Sequence, residues 1–203
     1  MVERDEQRRV LVTGGAGFIG SHLVEGLLGR GDAVRVLDDF STGKRANLDG
    51  LGNGQWKPGT HFDVIEGDIR NFSLMVQAAD GMDVILHNAA LGSVPRSVQD
   101  PMITQEINAD GTLNVFLAAR DRGVRRVVFA SSSAVYGDSD RLPRREGEEG
   151  QPLSPYALTK EINEKHACLF ARLYGLETVG LRYFNVYGPR QDPGSEYAAV
   201  IPR

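Results

Sequence analysis

Arg9-Val-Leu-Val-Thr13 runs directly into Gly14-Gly-Ala-Gly-Phe-Ile-Gly20, and this stretch decides the fold. The short apolar run reads as a buried strand. Phe18 to Gly31 reads as a helix, with Ile19, Leu23, Leu27 and Leu28 at helical spacing. Between them, Gly14, Gly17 and Gly20 stand at a G-x-x-G-x-x-G spacing. A turn of this kind needs positive φ, which glycine tolerates. Without side chains, its backbone N–H groups can approach a pyrophosphate, and the helix that follows turns its positive end toward that charge. Gly20 permits close packing of helix on strand. Asp38 closes a second strand, Ala33 to Leu37. A carboxylate there accepts both adenosine ribose hydroxyls and repels a 2′-phosphate, which favours NAD over NADP; Arg35, Lys44 and Arg45 pull the other way. A glycine-rich turn alone can serve without any ligand. The strand, helix and acid placed around this one point to a nucleotide.

Outward from that unit, short apolar runs alternate with longer amphipathic ones. Strands are expected at Asp63 to Glu66, Asp83 to Leu86, Arg126 to Ala130 and Glu177 to Leu181. Helices are expected from about Asn71 to Ala79, Pro101 to Arg122 and Ser154 to Tyr174, the last two stopped by Gly123 and Gly175. Such alternation means right-handed crossovers and a parallel sheet covered on both faces: an α/β, Rossmann-like, doubly wound fold. Ser41 to Gly59 breaks the rhythm with five Gly and one Pro, and reads as a long loop or lid. Residues 1–182 read as one dinucleotide-binding domain; 183–203, rich in Pro, Gly and aromatics, read as the opening of something further.

The 203 residues exceed one typical domain of about 150. Hydrophobic residues make up 41%, enough for a core, and the net charge of −4 leaves no electrostatic footprint for nucleic acid or an anionic membrane. Cys168 alone cannot build a disulfide framework, and on this long helix it reads as a small buried hydrophobe. The N-terminus lacks the apolar core of a secretory signal, and the expected compartment is the cytoplasm. No grouping suggests a metal.

Tyr156-Ala-Leu-Thr-Lys160 sets a phenol and an ammonium four residues apart on one helix face. A free phenol has a pKa near 10; a neighbouring cation favours phenolate and makes it a usable base. The fifth strand ends in Ala130-Ser-Ser-Ser-Ala-Val-Tyr136, at the sheet edge where open α/β folds bind ligands. Y-x-x-x-K arises often by chance, and a serine run often just ends a strand. Together, behind a glycine cradle, they read as chemistry. His87 reads as a packing residue, and Glu146, Glu148 and Glu149 as a solvated loop face.

With these residues in place the chain resembles the extended short-chain dehydrogenase/reductase family, in its nucleotide-sugar branch. Thr13 to Gly20, Asp38-Asp39, Gly67-Asp-Ile69, His87-Asn-Ala-Ala90, Asn108, Ser131-Ser-Ser133, Tyr156 to Lys160 and Arg182-Tyr-Phe-Asn185 all fall in family order. Leu91-Gly-Ser-Val-Pro-Arg-Ser97 and Arg190-Gln-Asp-Pro193 are most similar to UDP-sugar 4-epimerases of the UDP-N-acetylglucosamine type. The resemblance implies that Phe18, Ile19, Asp39, Ser41, Thr42 and Gly43 join the glycines and Asp38 around NAD. It implies that Asp68 and Ile69 meet the adenine, that Ala89, Ala90 and Leu91 line the cofactor, and that Asn108 and Phe184 lie near it. Ser132 is the implied catalytic hydroxyl, with Tyr156 and Lys160. Gly92, Ser93, Ser132, Ser133, Tyr156, Asn185, Ala199 and Val200 are implied substrate contacts, and 183–203 is by the same resemblance the start of an incomplete substrate-binding region. Each has a plainer reading: Asp68 as a helix cap, Asn108 as a partner of buried backbone, Asn185 as a turn residue.

The resemblance implies epimerisation at C4 of a UDP-hexose through a 4-keto sugar. The 4,6-dehydratases of this family carry an Asp-Glu pair where Ser133 and Ala134 stand, and the sugar-acid decarboxylases carry Glu in place of Ala134. A uronate 4-epimerase, a keto-sugar reductase, or an NAD-binding module without turnover stay open, since family members are longer. The resemblance also implies pairing of Ala109–Arg122 and Ser154–Tyr174 with a second subunit as a four-helix bundle; these helices could equally cover their own sheet.

Overall fold

β1 (Arg9–Thr13) is buried at every position after Arg9, as a central strand covered on both faces must be. A computed structural model of the protein describes residues 8–51 and 61–192. After β1 come α1 (Phe18–Arg30), β2 (Ala33–Asp38), β3 (Phe62–Glu66), α2 (Phe72–Ala79), β4 (Val84–His87), α3 (Val94–Gln99), α4 (Pro101–Gln105), α5 (Gly111–Asp121), β5 (Arg126–Ser132), α6 (Pro155–Tyr174) and β6 (Glu177–Tyr183). The strands lie in the order β3-β2-β1-β4-β5-β6 and every neighbouring pair is parallel. This is the expected Rossmann-like, doubly wound sheet. Its order reverses between β1 and β4, which opens a crevice at the carboxyl ends of those strands.

Two apolar layers clamp the sheet. Val10, Val12, Val34 and Val36 face α1 through Val24 and Leu27. Leu11, Leu37, Ile85, Val127 and Phe129 face α2, α5 and α6. The second layer centres on Phe116, which meets Phe129 edge-on at 5.6 Å and Phe170 at 5.4 Å. Chain ends of the helices follow local chemistry. Ser154 caps α6 by accepting the Ala157 amide at 3.1 Å, Pro155 takes the first turn, and left-handed Gly175 ends it.

The structure departs from the sequence reading in several places. The helix expected over 101–122 is interrupted by a π-helical turn at Glu106–Asp110. α3 is an additional short helix, opened by the Ser93 side chain and Pro95. Within the expected lid, residues 52–60 lie outside the described residues, and 45–47 form a 3₁₀ turn. Its neighbour Leu48 is fully buried, and the Ala16 carbonyl accepts from the Lys44 amide and the Asn47 carboxamide. This part of the loop is pinned to the glycine turn. Cys168, expected to be buried, is exposed: the inward face of α6 is Asn163, Ala167 and Phe170, and Cys168 falls on the other side.

Phe116→Ala is expected to cost about 3–5 kcal/mol of stability, read by urea unfolding. A loss below about 1 kcal/mol would mean that this aromatic contact does not hold α5 to the sheet.

Candidate functional site

The turn after β1 is built without room for side chains. Gly14 sits at φ +69°, and a Cβ there would fall 2.7 Å from the Ala89 nitrogen. At Gly20 a Cβ would lie 2.0 Å from the Gly14 carbonyl. The turn is tied down by the Gly14 amide, which donates to Leu37 O, and by the Gly17 amide, which donates to Gly14 O. Gly17 is the N-cap of α1, no side chain caps that end, and its first turn holds no acid. Phe18 and Ile19 form that first turn, half-buried.

Asp38 ends β2 beside this turn. Its two oxygens accept the amides of Ala16 and Phe40, each at 2.8 Å. Burial pushes its carboxyl above the ordinary value, and these two bonds pull it only part of the way back. A carboxylate has about four acceptor positions, so two remain for hydroxyls. Asp39 turns away to accept the Ser41 amide and hydroxyl. Ser41 and Thr42 are exposed; Gly43 has its Cβ position 2.7 Å from Asp38 Oδ1. The nearby cations are engaged elsewhere: Arg35 by Asp63 and the Ala78 carbonyl, Arg45 by Glu66 while stacked on Phe40.

Bare glycine floor, uncapped helix end and hydroxyl-accepting acid together fit a dinucleotide. At the end of β3, Asp68 is gripped by Arg70; its partial burial opposes ionisation, but the Arg70 hydrogen bonds outweigh that and hold it below the ordinary value. Ile69 is buried against Gly111. At the end of β4, the Ala89 amide reaches Thr13 Oγ at 3.4 Å. Ala90 is half-buried, and the Leu91 backbone is held by Asn108 at both its amide (2.8 Å) and its carbonyl (3.0 Å). Asn108 is wholly buried, as the plainer reading of it required.

Lys160 and Ser132 belong to the carboxyl end of β5, and Tyr156 lies beside Lys160. Lys160 is buried, donates to the Ala130 carbonyl at 2.8 Å, and lies 5.8 Å from the Tyr156 ring centroid. Burial alone lowers it to about 8. Ser132 closes β5, its Oγ accepting the Ala134 amide at 3.1 Å. Ser133 opens the 3₁₀ turn that follows. Ser93 caps α3, and Gly92 has open space where a Cβ would stand. Phe184 is exposed with its ring 6.1 Å from that of Tyr136, and Asn185 is exposed. Ala199 and Val200 lie outside the described residues.

Three features escaped the sequence reading. Glu149 is exposed, as a loop face is, but it is also paired: Arg182 binds it and also grips Glu164 with two nitrogens, at 3.0 and 2.7 Å. Glu164 in turn accepts from the Ser131 hydroxyl. These groups tie β5, β6 and α6 together at Ser131, the residue before Ser132, and Glu164, one turn after Lys160, was the available signal. Secondly, the segment after β6 crosses to α1. His22 Nε2 donates to the Pro189 carbonyl at 2.9 Å, and Arg190 pairs with Glu25 at 2.6 Å. Thirdly, His87, Thr13, Thr112 and Asn163 form a buried polar cluster with Asn108. Polar residues one turn apart on an otherwise apolar helix face, Asn108 and Thr112, marked it.

Residues 10–203 match the NAD dependent epimerase/dehydratase family, and the chain belongs to it. It is 42% identical to a putative UDP-glucose 4-epimerase of Methanocaldococcus jannaschii, over 95% of this chain and 60% of that protein. The UDP-N-acetylglucosamine 4-epimerase of Methanobrevibacter ruminantium, solved in complex with UDP-N-acetylmuramic acid, superposes with a TM-score of 0.88 at 41% identity, over 98% of this chain and 61% of that one. The UDP-glucose 4-epimerase of Thermus thermophilus, solved with NAD, gives 0.82 at 43%, over 94% and 59%. The chain thus spans about 60% of the length of these relatives.

Lys160 has its folded value, about 8, below the ordinary 10.5. Between those two values the unfolded chain binds more protons than the folded one, so stability climbs with pH there; below about 8 the full cost of burying the cation is felt. Relative to Lys160→Met, wild-type unfolding free energy should therefore rise between pH 8 and 10.5. A flat difference would show that the ammonium stays solvated.

Proposed function

We propose that the chain is the dinucleotide-binding and proton-transfer part of an NAD-dependent epimerase acting at C4 of a UDP-hexose, UDP-N-acetylglucosamine or UDP-glucose and their 4-epimers. One observation carries this reading: Lys160 is fixed to the carboxyl end of β5, one residue before Ser131-Ser132 and beside Tyr156, at the same sheet edge as the glycine turn. Gly14, Gly17 and the first turn of α1 would hold the pyrophosphate of NAD, and Asp38 its adenosine ribose.

Lys160 favours the ionised form of the Tyr156 phenol. Tyr156, with Ser132, takes the proton of the sugar 4-hydroxyl and later gives it back to the oxygen of the inverted centre. NAD held at this edge would supply reversible hydride chemistry at C4, and inversion follows when the 4-keto sugar presents its opposite face. Ser133 and Ala134 supply neither carboxylate that elimination of water or loss of CO₂ would call on, which favours epimerisation over those reactions. No helix among the described residues is long and apolar enough to cross a membrane. A nucleotide sugar and an unpaired Cys168 suit the cytoplasm. Exposed Leu169 and Leu173 on α6 support pairing of α5 and α6 with a second copy as a four-helix bundle.

A second reading, binding of NAD without turnover, has its own observation. Leu181, Phe184, Val186 and Tyr187, on and beyond β6, are exposed, so little among the described residues covers this edge of the sheet. Loss of positioning removes several kcal/mol of barrier lowering.

Incubation with UDP-N-acetylglucosamine and NAD, followed by separation of products, should yield the 4-epimer. A stable 4-keto or reduced sugar would favour a different reaction, and NAD affinity without sugar affinity the binding module. Tyr156→Phe is expected to lower epimerisation by about 10²–10⁴-fold while leaving NAD affinity in place; full activity would sink the assignment.

A further inference from the structure

A buried chain of hydrogen bonds joins the glycine turn to the catalytic helix, and its protons can be assigned one at a time. Thr112 Oγ lies 2.6 Å from the Asn108 carbonyl, which can only accept, so the Thr112 proton points there. His87 Nε2, 2.9 Å from the same hydroxyl, must then be the donor in that contact. The imidazole is buried, and burial first, with the Lys160 charge second, holds it near 3, so the ring is neutral. A neutral ring has one N–H. Nδ1 therefore accepts, and Thr13 Oγ, 2.6 Å away, donates to it. The Thr13 oxygen keeps a lone pair for the Ala89 amide.

The other end of the chain reaches α6. Asn163 donates to the Asn108 carbonyl at 2.9 Å and to Thr112 Oγ at 3.2 Å. Asn108 Nδ2 reaches Thr159 Oγ at 3.4 Å, and Thr159 donates to the Tyr156 carbonyl at 2.7 Å. Asn108 sits in the π-helical turn. A π turn breaks the regular i→i−4 ladder, which leaves its carbonyl to Thr112 and Asn163.

We propose that His87 is a positioning residue of the site, fixed as the Nε2–H tautomer between Thr13 and Thr112 so that the glycine turn keeps a set distance from Tyr156 and Lys160. It touches no reacting atom. The proposal rests on the dinucleotide-and-phenol reading above for its purpose, but its test needs no turnover.

The test uses ¹⁵N-histidine and ¹³C-tyrosine spectra of the folded chain. The His87 ring, assigned by its loss in His87→Gln, should show a protonated Nε2 and a bare Nδ1. Thr13→Val, which removes the donor to Nδ1, should shift that nitrogen and also shift the Tyr156 ring signal, identified with Tyr156→Phe. Thr13→Ser, which keeps the hydroxyl, should restore both. An Nδ1–H or cationic ring, or a Tyr156 signal unmoved by Thr13→Val, overturns the proposal. If Thr13→Val does not fold, Thr112→Val serves in its place by cutting the link at Nε2. Should the Tyr156→Phe assay instead retain full epimerase activity, the functional reading fails while the tautomer result stands.

Discussion

Every group at the carboxyl edge of the sheet depends on how closely the backbone after β1 lies on the backbone after β4. Thr13 pairs in register with His87, and one residue later the chain turns at Gly14 with the Ala89 nitrogen 2.7 Å from where a Cβ would stand. No side chain fits between them. That contact brings α1 forward so that its positive end faces the crevice. It also brings the 89–91 segment beneath the same space, where Asn108 secures Leu91 on both sides. A wider seam would separate the cradle from the phenol, and the two halves of the chemistry would be on one sheet without sharing one site.

The fold was legible because its signals are local and repeated. Apolar runs such as Arg9 to Thr13 have the length of buried parallel strands, and glycines mark the ends of helices at Gly31 and Gly175. The placement of the candidate residues was legible for the same reason: Gly14, Asp38, Ser132, Tyr156 and Lys160 stand at strand ends or on one helix face. What could not be read involves contacts between residues far apart in the chain. Glu149 reads as a solvated acid until β6 places Arg182 beside it. His22 has nothing nearby in sequence that would draw Pro189 to it. The π turn is likewise unmarked by helical periodicity, because it falls at Glu106–Asp110, where polar and apolar residues alternate too closely to set a phase. Cys168 was misjudged since an average tendency toward burial says nothing about which side of α6 it occupies.

Charge at the edge is arranged by burial more than by pairing. Lys160 carries its ammonium against a carbonyl rather than a carboxylate, and burial lowers it to about 8. Acids elsewhere along the edge are bound to guanidinium groups: Glu164 and Glu149 on Arg182, and Asp68, beyond β3, on Arg70. Arginine stays ionised at any physiological pH and grips carboxylates in two places.

A polar cluster under such a site has a cost that an apolar one would avoid. Asn163 Oδ1 and Asn88 Oδ1 are buried without a hydrogen-bond partner, and each such atom forfeits roughly 1–3 kcal/mol. Both adjoin the groups that position the chemistry: Asn163 holds the Asn108 carbonyl, and Asn88 follows His87. Valine or leucine at Thr13, His87 and Thr112 would fill the volume, but apolar contacts are non-directional and would let α5 and α6 slide by fractions of an ångström against β1 and β4. Hydrogen bonds with assigned donors permit one arrangement only. Proton transfer needs donor and acceptor within hydrogen-bond distance, so, under the role proposed for Tyr156, a core that loses some stability to gain a single geometry is the arrangement expected.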